Sequence, residues 1–209
     1  MIDHLVYATP DLEPSIAELA ERLGVQPALG GRHLGRGTRN ALVGLGGRRY
    51  LEIIGPDPEQ GEPAEPRPFG VDALDGAGLV TWCARSSKPL ADAVRAARDL
   101  GLEPGDPTPM SRLRPDGVRL EWVLTLPQTS GPFAGVMPFL IDWGASPHPS
   151  DGAPGGVDLV QLRLAHPDPE KLHAVLAALG AGDGVELVEA SRCAVSALVS
   201  THDGVLQLG

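Results

Sequence analysis

Two distant segments of the chain carry the same order of structural signals. Residues 2–24 and 158–180 each begin with an apolar run, continue with Ala-x-Pro-Asp and end in a helical pattern closed by Leu-Gly. Residues 78–101 form a looser third copy between them. Because such self-similarity indicates copies of one supersecondary unit, we expect the chain to contain three related units.

Each copy predicts a strand followed by an amphipathic helix. In the first copy, apolar side chains recur at helical spacing from Leu12 to Leu23, and Gly24 is placed to end the helix in a left-handed conformation. In the last copy, Asp168 is expected to cap the helix and Gly180 to end it. Strand-like runs separated by turn signals follow each helix, which predicts two or three mostly antiparallel strands there.

Linkers rich in proline and glycine mark the boundaries between units. Residues 56–77 lie between the first two units, and residues 144–156 precede the third. We therefore expect paired units over residues 1–145 and a third βαβββ-like unit over residues 156–209. Repeated βαβββ units predict an α+β fold in which curved sheets carry helices on one side.

Composition excludes several classes of function. The net charge of −10 and an aromatic content of only 4 % disfavour nucleic acid as a partner. The apolar runs are too short for a membrane helix, the N-terminus lacks the features of a secretory signal, and two cysteines cannot form a disulfide framework. We expect a cytoplasmic protein with a small-molecule partner and no membrane or nucleic-acid partner; monomer and homodimer both remain open.

Short motifs recur in an order that is more specific than any one of them. They are IDHL (2–5) with PDL (10–12), GGRHLGRGTRNAL (30–42), YLEII (50–54), PDGVRLE (115–121) and PFLIDW (138–143). Together they resemble the vicinal oxygen chelate superfamily, and within it the glyoxalase-like domain proteins. The resemblance implies units of the glyoxalase/dihydroxybiphenyl dioxygenase type whose curved sheets form a cup, here with an extra third unit.

The resemblance also implies a divalent metal at the floor of the cup, bound by the first and last strands of each unit. His4 matches the first-strand ligand and Glu52 the fourth-strand ligand. Glu121 matches the corresponding carboxylate of the second unit, with Asp142 as an alternative. Glu52 and Glu121 are then also the candidates for catalytic proton transfer.

The second unit lacks one ligand that the resemblance implies. The expected first-strand position falls on Leu79 or Val80, neither of which binds metal. Two functions therefore stay open. One is a metal-dependent lyase or isomerase that acts on a small carbonyl or vicinal-oxygen substrate with Zn, Ni, Mn or Fe; an extradiol dioxygenase fits one histidine and two carboxylates less well. The other is a protein of the same fold that binds or sequesters a small molecule and uses no metal.

Structural roles compete with the metal-site interpretation of three of these residues. Glu121 alternates along its strand with Arg119, a pattern that is also typical of side chains facing solvent. His4 alternates with apolar residues, a pattern that is also typical of a hydrogen-bonded core histidine. Glu52 lies in a run apolar enough to be buried, so it requires a metal, a histidine or an arginine such as Arg39 as its partner.

Five further side chains are candidates for binding substrate. His33 lies in a glycine-rich segment, interpreted as a loop, where the backbone can approach a ligand and Arg39 can bind an anion. Arg112 and Arg114 share a strand face and either bind an anionic substrate or act as surface charges. Trp143 either packs in the core or contacts substrate.

Overall fold

A closed barrel and a separate four-stranded sheet make up the computed structural model, which describes residues 1–114, 116–126 and 130–209. Pro115, the first residue of the PDGVRLE motif, lies outside the described residues. The first unit contains β1 (Ile2–Ala8), α1 (Leu12–Leu23), β2 (Ala28–His33), β3 (Thr38–Gly44) and β4 (Tyr50–Pro56).

The second and third units repeat the order of one strand, one helix and three strands. The second contains β5 (Gly78–Ala84), α2 (Leu90–Arg98), β6 (Pro107–Leu113), β7 (Arg119–Thr125) and β8 (Phe139–Asp142). The third contains β9 (Asp158–His166), α3 (Pro169–Leu179), β10 (Val185–Glu189), β11 (Ala194–Thr201) and β12 (Gly204–Leu208). In the described ranges, every helix is too short or too polar for a bilayer crossing.

The first two units close one barrel with the strand order β1-β4-β3-β2-β6-β7-β8-β5. Two seams join the units. At one seam β1 and β5 pair antiparallel along their length, and at the other β2 and β6 are joined through the single register pair Arg32 and Leu113. The predicted α+β fold with a curved sheet is confirmed, and the cup is closed into a barrel.

The third unit has the predicted order of elements but a different strand order. Its sheet runs β10-β9-β11-β12, so its first strand lies between a parallel and an antiparallel neighbour. In the first unit, by contrast, β1 lies beside the last strand of its own unit. The third sheet lies outside the barrel and is joined to it near α2, where Ser86 Oγ donates to Leu179 O at 2.8 Å and Lys88 Nζ to Ala178 O at 3.0 Å.

Alternation along the strands divides the apolar side chains between two cores. On β1 and β4, Leu5, Leu51 and Ile53 face outward and pack in the large core beneath α1, which continues into the third sheet. Val6 and Ile54 belong to a second cluster, together with Trp122 and Phe139 from the other unit. Because successive residues of a strand point to opposite faces, these two clusters define the outside and the inside of the barrel.

The helix ends follow the sequence signals. Gly24 and Gly180 are left-handed, with φ of 67° and 65°, and Asp168 accepts a hydrogen bond from the Lys171 backbone N–H at 2.9 Å. These three predictions are confirmed. Asp11, the corresponding position before α1, makes no such capping bond.

The glycine-rich segment, residues 30–37, is a strand as far as His33 and a turn over residues 34–37, so its interpretation as a loop is wrong for the part that holds His33. Glycine is needed there because β2 and β6 approach closely at the seam. A Cβ on Gly31, whose φ is 143°, would lie 2.2 Å from the carbonyl oxygen of Leu113. The absence of side chains therefore permits the barrel to close at this point.

Gly31→Ala is expected to lower the free energy of unfolding by at least about 2 kcal/mol, because a backbone carbonyl cannot move aside without breaking the seam. Urea denaturation measures this loss. Gly35→Ala is the control, since Gly35 has φ of 75° and open space around it. It should lose only about 1 kcal/mol to the left-handed backbone. Equal losses in the two variants would contradict a steric role for the seam.

Candidate functional site

A cavity that is partly open to solvent lies inside the barrel. Much of its wall is apolar and aromatic, with side chains from the linker before the second unit and from the second unit itself: Phe69, Trp122, Leu124, Phe139, Ile141 and Trp143. Its polar and charged side chains come mainly from the first unit, and they include His4, His33, Arg36, Asn40, Tyr50, Glu52 and Arg112. An apolar cavity with a few converging polar groups is the usual form of a small-molecule site.

The register of β1 and β4 brings His4 and Glu52 together. The two strands are parallel, and the partners in register are His4 with Tyr50 and Val6 with Glu52. His4 and Glu52 are therefore diagonal neighbours on the inner face, with His4 Nε2 at 3.7 Å from Glu52 Oε2. Glu52 is buried, as its apolar surroundings in the sequence predicted.

A second imidazole faces the other oxygen of the same carboxylate. His33, at the end of β2, has its Nε2 at 3.8 Å from Glu52 Oε1. Asn40 on β3 donates to that oxygen at 2.5 Å. Glu52 is thus held between two histidines, both too far away for a direct hydrogen bond.

Asp3 orients His4 from the side opposite Glu52. Its Oδ1 lies 2.7 Å from His4 Nδ1, while its Oδ2 lies 3.0 Å from Arg85 Nε and 3.1 Å from His148 Nε2. Burial by itself raises the pKa of Asp3, but hydrogen bonds from His148 and His4 outweigh it and hold that pKa well below its usual range. An ionised Asp3 favours the His4 tautomer with the proton on Nδ1, which leaves Nε2 as an acceptor facing Glu52.

His33 is held in a similar way but by a neutral partner. Its Nδ1 lies 3.1 Å from the hydroxyl of Thr38. Burial lowers the pKa of His33 to about 4, and the charge of Glu52 opposes this shift only in part. The imidazole is therefore neutral at pH 7 and presents Nε2 to Glu52.

Arg112 and Trp143 also reach this region. Arg112 on β6 donates from Nη1 to Asn40 Oδ1 at 3.0 Å, so Asn40 bridges the guanidinium and the Glu52 carboxylate. Trp143 lines the cavity and directs its Nε1 at Asp3, 3.2 Å from Oδ2. These two of the predicted substrate-binding side chains lie in the barrel cavity together with His33.

Glu121 and Asp142 do not join His4 and Glu52, so their assignment as metal ligands and that of Glu121 as a catalytic group are corrected. On β7, Leu120 and Trp122 face inward, and the intervening Glu121 points outward with its side chain 74 % exposed. Asp142 is exposed at the end of β8 and accepts a hydrogen bond from the Gly144 backbone N–H at 2.9 Å.

Arg39 and Arg114 also lie away from the barrel cavity. Arg39 pairs with Glu13 of α1 at 2.5 Å, and Arg114 pairs with Asp116 at 2.8 Å. Since Arg39 has this other partner, the proposed pair of Arg39 with Glu52 is also corrected. Both arginines border a shallow outer depression and are placed as surface charges.

The second unit supplies a thiol beside His4, across the seam between β1 and β5, and apolar side chains at the place of its last-strand ligand. Cys83 of β5 is in register with His4, and Asp3, His4 and Cys83 each have a donor atom within 4.8 Å of the others. Burial raises the pKa of the Cys83 thiol well above its usual value, which keeps it protonated. Phe139 and Ile141 of β8 face the cavity instead of a carboxylate.

Four polar residues of the site were missed from the sequence: Asp3, Asn40, Tyr50 and His148. Asp3 carried a usable signal, because a carboxylate within an otherwise apolar strand must be buried and paired. His148 was assigned to a linker, and no local pattern indicates that this linker returns to the barrel. Its contact with Asp3 spans 145 positions of the chain.

Comparison with known proteins agrees with the fold. Residues 2–180 match a family model described as a glyoxalase-like domain. A hypothetical protein from Staphylococcus aureus aligns with a TM-score of 0.68 and 12 % identity, over 92 % of this chain and 87 % of that one. Methylmalonyl-CoA epimerase from Streptomyces coelicolor, in complex with 2-nitronate-propionyl-CoA, aligns at 0.45 and 22 % identity, over 70 % and 96 % of the two chains. No curated protein sequence matches the chain.

His33→Asn is expected to reduce the acid sensitivity of the fold. Because the pKa of His33 is about 4 in the folded protein and 6.5 in a free side chain, the unfolded chain binds the extra proton between these values. The stability that depends on neutral His33 is therefore fully present above pH 6.5. It decreases as the pH falls toward 4. Between pH 7 and 4.5, the wild type should lose about 2 kcal/mol more than His33→Asn.

Denaturant titrations at the two pH values, with a chelator present, measure this difference. His202→Asn is the control, since His202 is exposed in a turn. The prediction fails if His33→Asn and the wild type lose the same stability between the two pH values. That result would mean that folding does not lower the pKa of His33.

Proposed function

Because this chain belongs to the glyoxalase-like domain family of the vicinal oxygen chelate superfamily, we propose that it is an isomerase or lyase acting on a small carbonyl or vicinal-oxygen substrate. The observation that carries the proposal is the buried Glu52 carboxylate between the Nε2 atoms of His4 and His33, at 3.7 and 3.8 Å, in a largely apolar cavity. A carboxylate in this setting is suited to take a proton from carbon.

The donor set fits a divalent metal, which is the cofactor that the superfamily implies. His4 and His33 each have Nδ1 engaged by a second group, Asp3 and Thr38, and each turns Nε2 toward Glu52. Outer contacts of this kind orient the histidine ligands of metal sites. We therefore propose His4, His33 and Glu52 as the ligands, with His33 in place of Glu121.

The alternative donor group of Asp3, His4 and Cys83 fits a metal less well. Asp3 already accepts from His148 and pairs with Arg85, and its oxygens lie near Trp143 Nε1 as well. Metal binding requires a thiolate, whereas the buried thiol of Cys83 is protonated. Asp3 is better suited to hold His4 in position.

A divalent ion at His4, His33 and Glu52 supplies Lewis acidity toward a carbonyl or vicinal oxygen of the substrate. The chain itself supplies the movement of the proton. Glu52 accepts it from the carbon next to the carbonyl and returns it to the substrate at another carbon or on another face. Asn40 donates a hydrogen bond to Oε1 of Glu52 and so holds the carboxylate in position for this transfer.

A second candidate function is a metal-free protein that binds a small molecule. The observation that favours it lies on β8, where Phe139 and Ile141 face the cavity at the place of the last-strand ligand of the second unit. In that case His4, His33 and Glu52 serve as hydrogen-bonding partners of a bound molecule. Metal binding by the purified protein separates the two candidates.

Glu52→Gln is expected to lose both metal binding and proton transfer. Calorimetry with Zn, Ni, Mn and Fe(II) measures the first. Incorporation of solvent deuterium next to the carbonyl of small 2-oxo and 2-hydroxy carbonyl compounds, followed by NMR, measures the second. Removal of a general base lowers such exchange by roughly 100-fold or more. Glu121→Gln is the matched control and should retain both, since Glu121 points outward.

Three outcomes would contradict the proposal. A wild-type protein that binds none of the four metals supports the metal-free candidate. Equal exchange by the wild type and by Glu52→Gln removes Glu52 as the base. Oxygen consumption by the Fe(II) form without deuterium exchange indicates a dioxygenase, for which two histidines and one carboxylate are a suitable set.

A further inference from the structure

Arg112 is a buried cation with no adjacent counter-ion in the described part of the chain. It is 4 % exposed, and its only side-chain hydrogen bond there is the one that Nη1 donates to Asn40 Oδ1. No described carboxylate lies within 4.0 Å of the guanidinium, and Nε has no hydrogen-bond partner. Burial lowers the pKa of Arg112, yet arginine stays protonated in proteins, so a charge remains inside the barrel.

A second unpaired donor lies beside it on the same wall. The indole Nε1 of Trp122 is buried without a partner, and Trp122 is 8 % exposed. Arg112 is in register with Leu120 on the neighbouring strand, and Met110 is in register with Trp122. Arg112 and Trp122 are therefore diagonal neighbours on the inner face, and both line the cavity.

The neighbouring strand leaves room for the guanidinium. A Cβ on Gly30 would lie 2.7 Å from Arg112 Nη1 and 2.3 Å from Asn40 Oδ1. Any larger residue at this position of β2 would displace the pair formed by Arg112 and Asn40. The inward position of Arg112 therefore depends on the space that Gly30 of β2 leaves for its guanidinium.

A buried charge is unfavourable unless it is paired, and unpaired buried donors point to an acceptor that binds there. The Glu52 carboxylate compensates Arg112 only through Asn40. Both residues line the cavity, and because their unpaired nitrogens are themselves buried, an anion would reach the Nε–H of Arg112 and the indole N–H of Trp122 by a turn of these side chains toward the cavity. The apolar wall around these donors suits an organic body attached to that anion.

We infer that the cavity binds a small organic carboxylate, with its carboxylate paired to Arg112 and Trp122 and its apolar body against Phe139, Ile141 and Leu124. The inference rests on the proposed function for the reacting end of the ligand, which faces Glu52. A singly charged group fits better than a phosphate dianion, because the Glu52 carboxylate lies close by and the other arginine of the cavity wall, Arg36, is already paired with Glu65. The substrate class is therefore an oxo or hydroxy carboxylic acid with an apolar side chain.

Phenylacetate and phenylacetamide are the probes that test this inference. They share one apolar body and differ in charge, and calorimetry on the full chain gives both affinities. We expect the wild type to bind phenylacetate at least about tenfold more tightly than the amide. Acetate, which lacks the apolar body, should bind at least about tenfold more weakly than phenylacetate. That difference separates the aromatic cavity from a second, polar opening that Arg112 also borders.

Arg112→Gln should lose the preference for phenylacetate and leave the affinity for phenylacetamide within about twofold. The matched control is Arg119→Gln, which removes an arginine from the outer face of β7 and should keep the preference. Trp122→Phe keeps the aromatic wall but removes one donor, so it should weaken phenylacetate binding by a smaller factor. If Arg112→Gln fails to fold, the wild-type preference and the Trp122→Phe result decide the question.

The inference is overturned if the wild type binds the acid and the amide equally or binds neither. It is also overturned if a folded Arg112→Gln retains the preference, or, where that variant does not fold, if Trp122→Phe does not weaken phenylacetate binding. Its failure is distinct from a failure of the proposed function. Arg112→Gln should still bind metal, whereas Glu52→Gln should lose metal and keep its preference for phenylacetate.

Discussion

The parallel pairing of β1 with β4 is the constraint on which the site depends. It places the first and last strands of the first unit side by side, with His4 in register with Tyr50 and Val6 with Glu52. Residues two apart on neighbouring strands share a face, so an imidazole and a carboxylate 48 positions apart meet inside the barrel. A slip of one residue would turn either side chain into the outer core beneath α1.

Barrel closure then determines the electrostatics. With water excluded, each interior charge needs a partner, and the structure meets this need unequally. Asp3 is fully engaged by His4, His148 and Arg85, and this makes it a rigid support. Glu52 and Arg112 share only Asn40 between them. Glu52 and Arg112, the two incompletely paired charges, face the cavity, where a ligand can pair with them. The fully paired network around Asp3 lies behind His4.

Local sequence signals predicted the features of the fold that depend on interactions within a few residues. The repeated strand and helix, the left-handed Gly24 and Gly180 and the cap at Asp168 follow from propensities and backbone conformation within a few residues. The pairing of His4 with Glu52 was expected from the family resemblance. The alternation of β7 allowed Glu121 to face solvent, since its apolar face carries Leu120 and Trp122, but the family resemblance favoured the ligand role, which the structure does not bear out.

The sequence by itself determined the number of units and the order of their elements, because these depend on short-range pattern. The two residues that begin the site, His4 and Glu52, were indicated by the family resemblance. Only the tertiary structure decided that β2 is a strand of the barrel, that Asp3 and His148 support His4, and that Arg112 is left without a counter-ion. These features join residues up to 145 positions apart. They depend on which surfaces meet when the barrel closes, and no local preference encodes that choice.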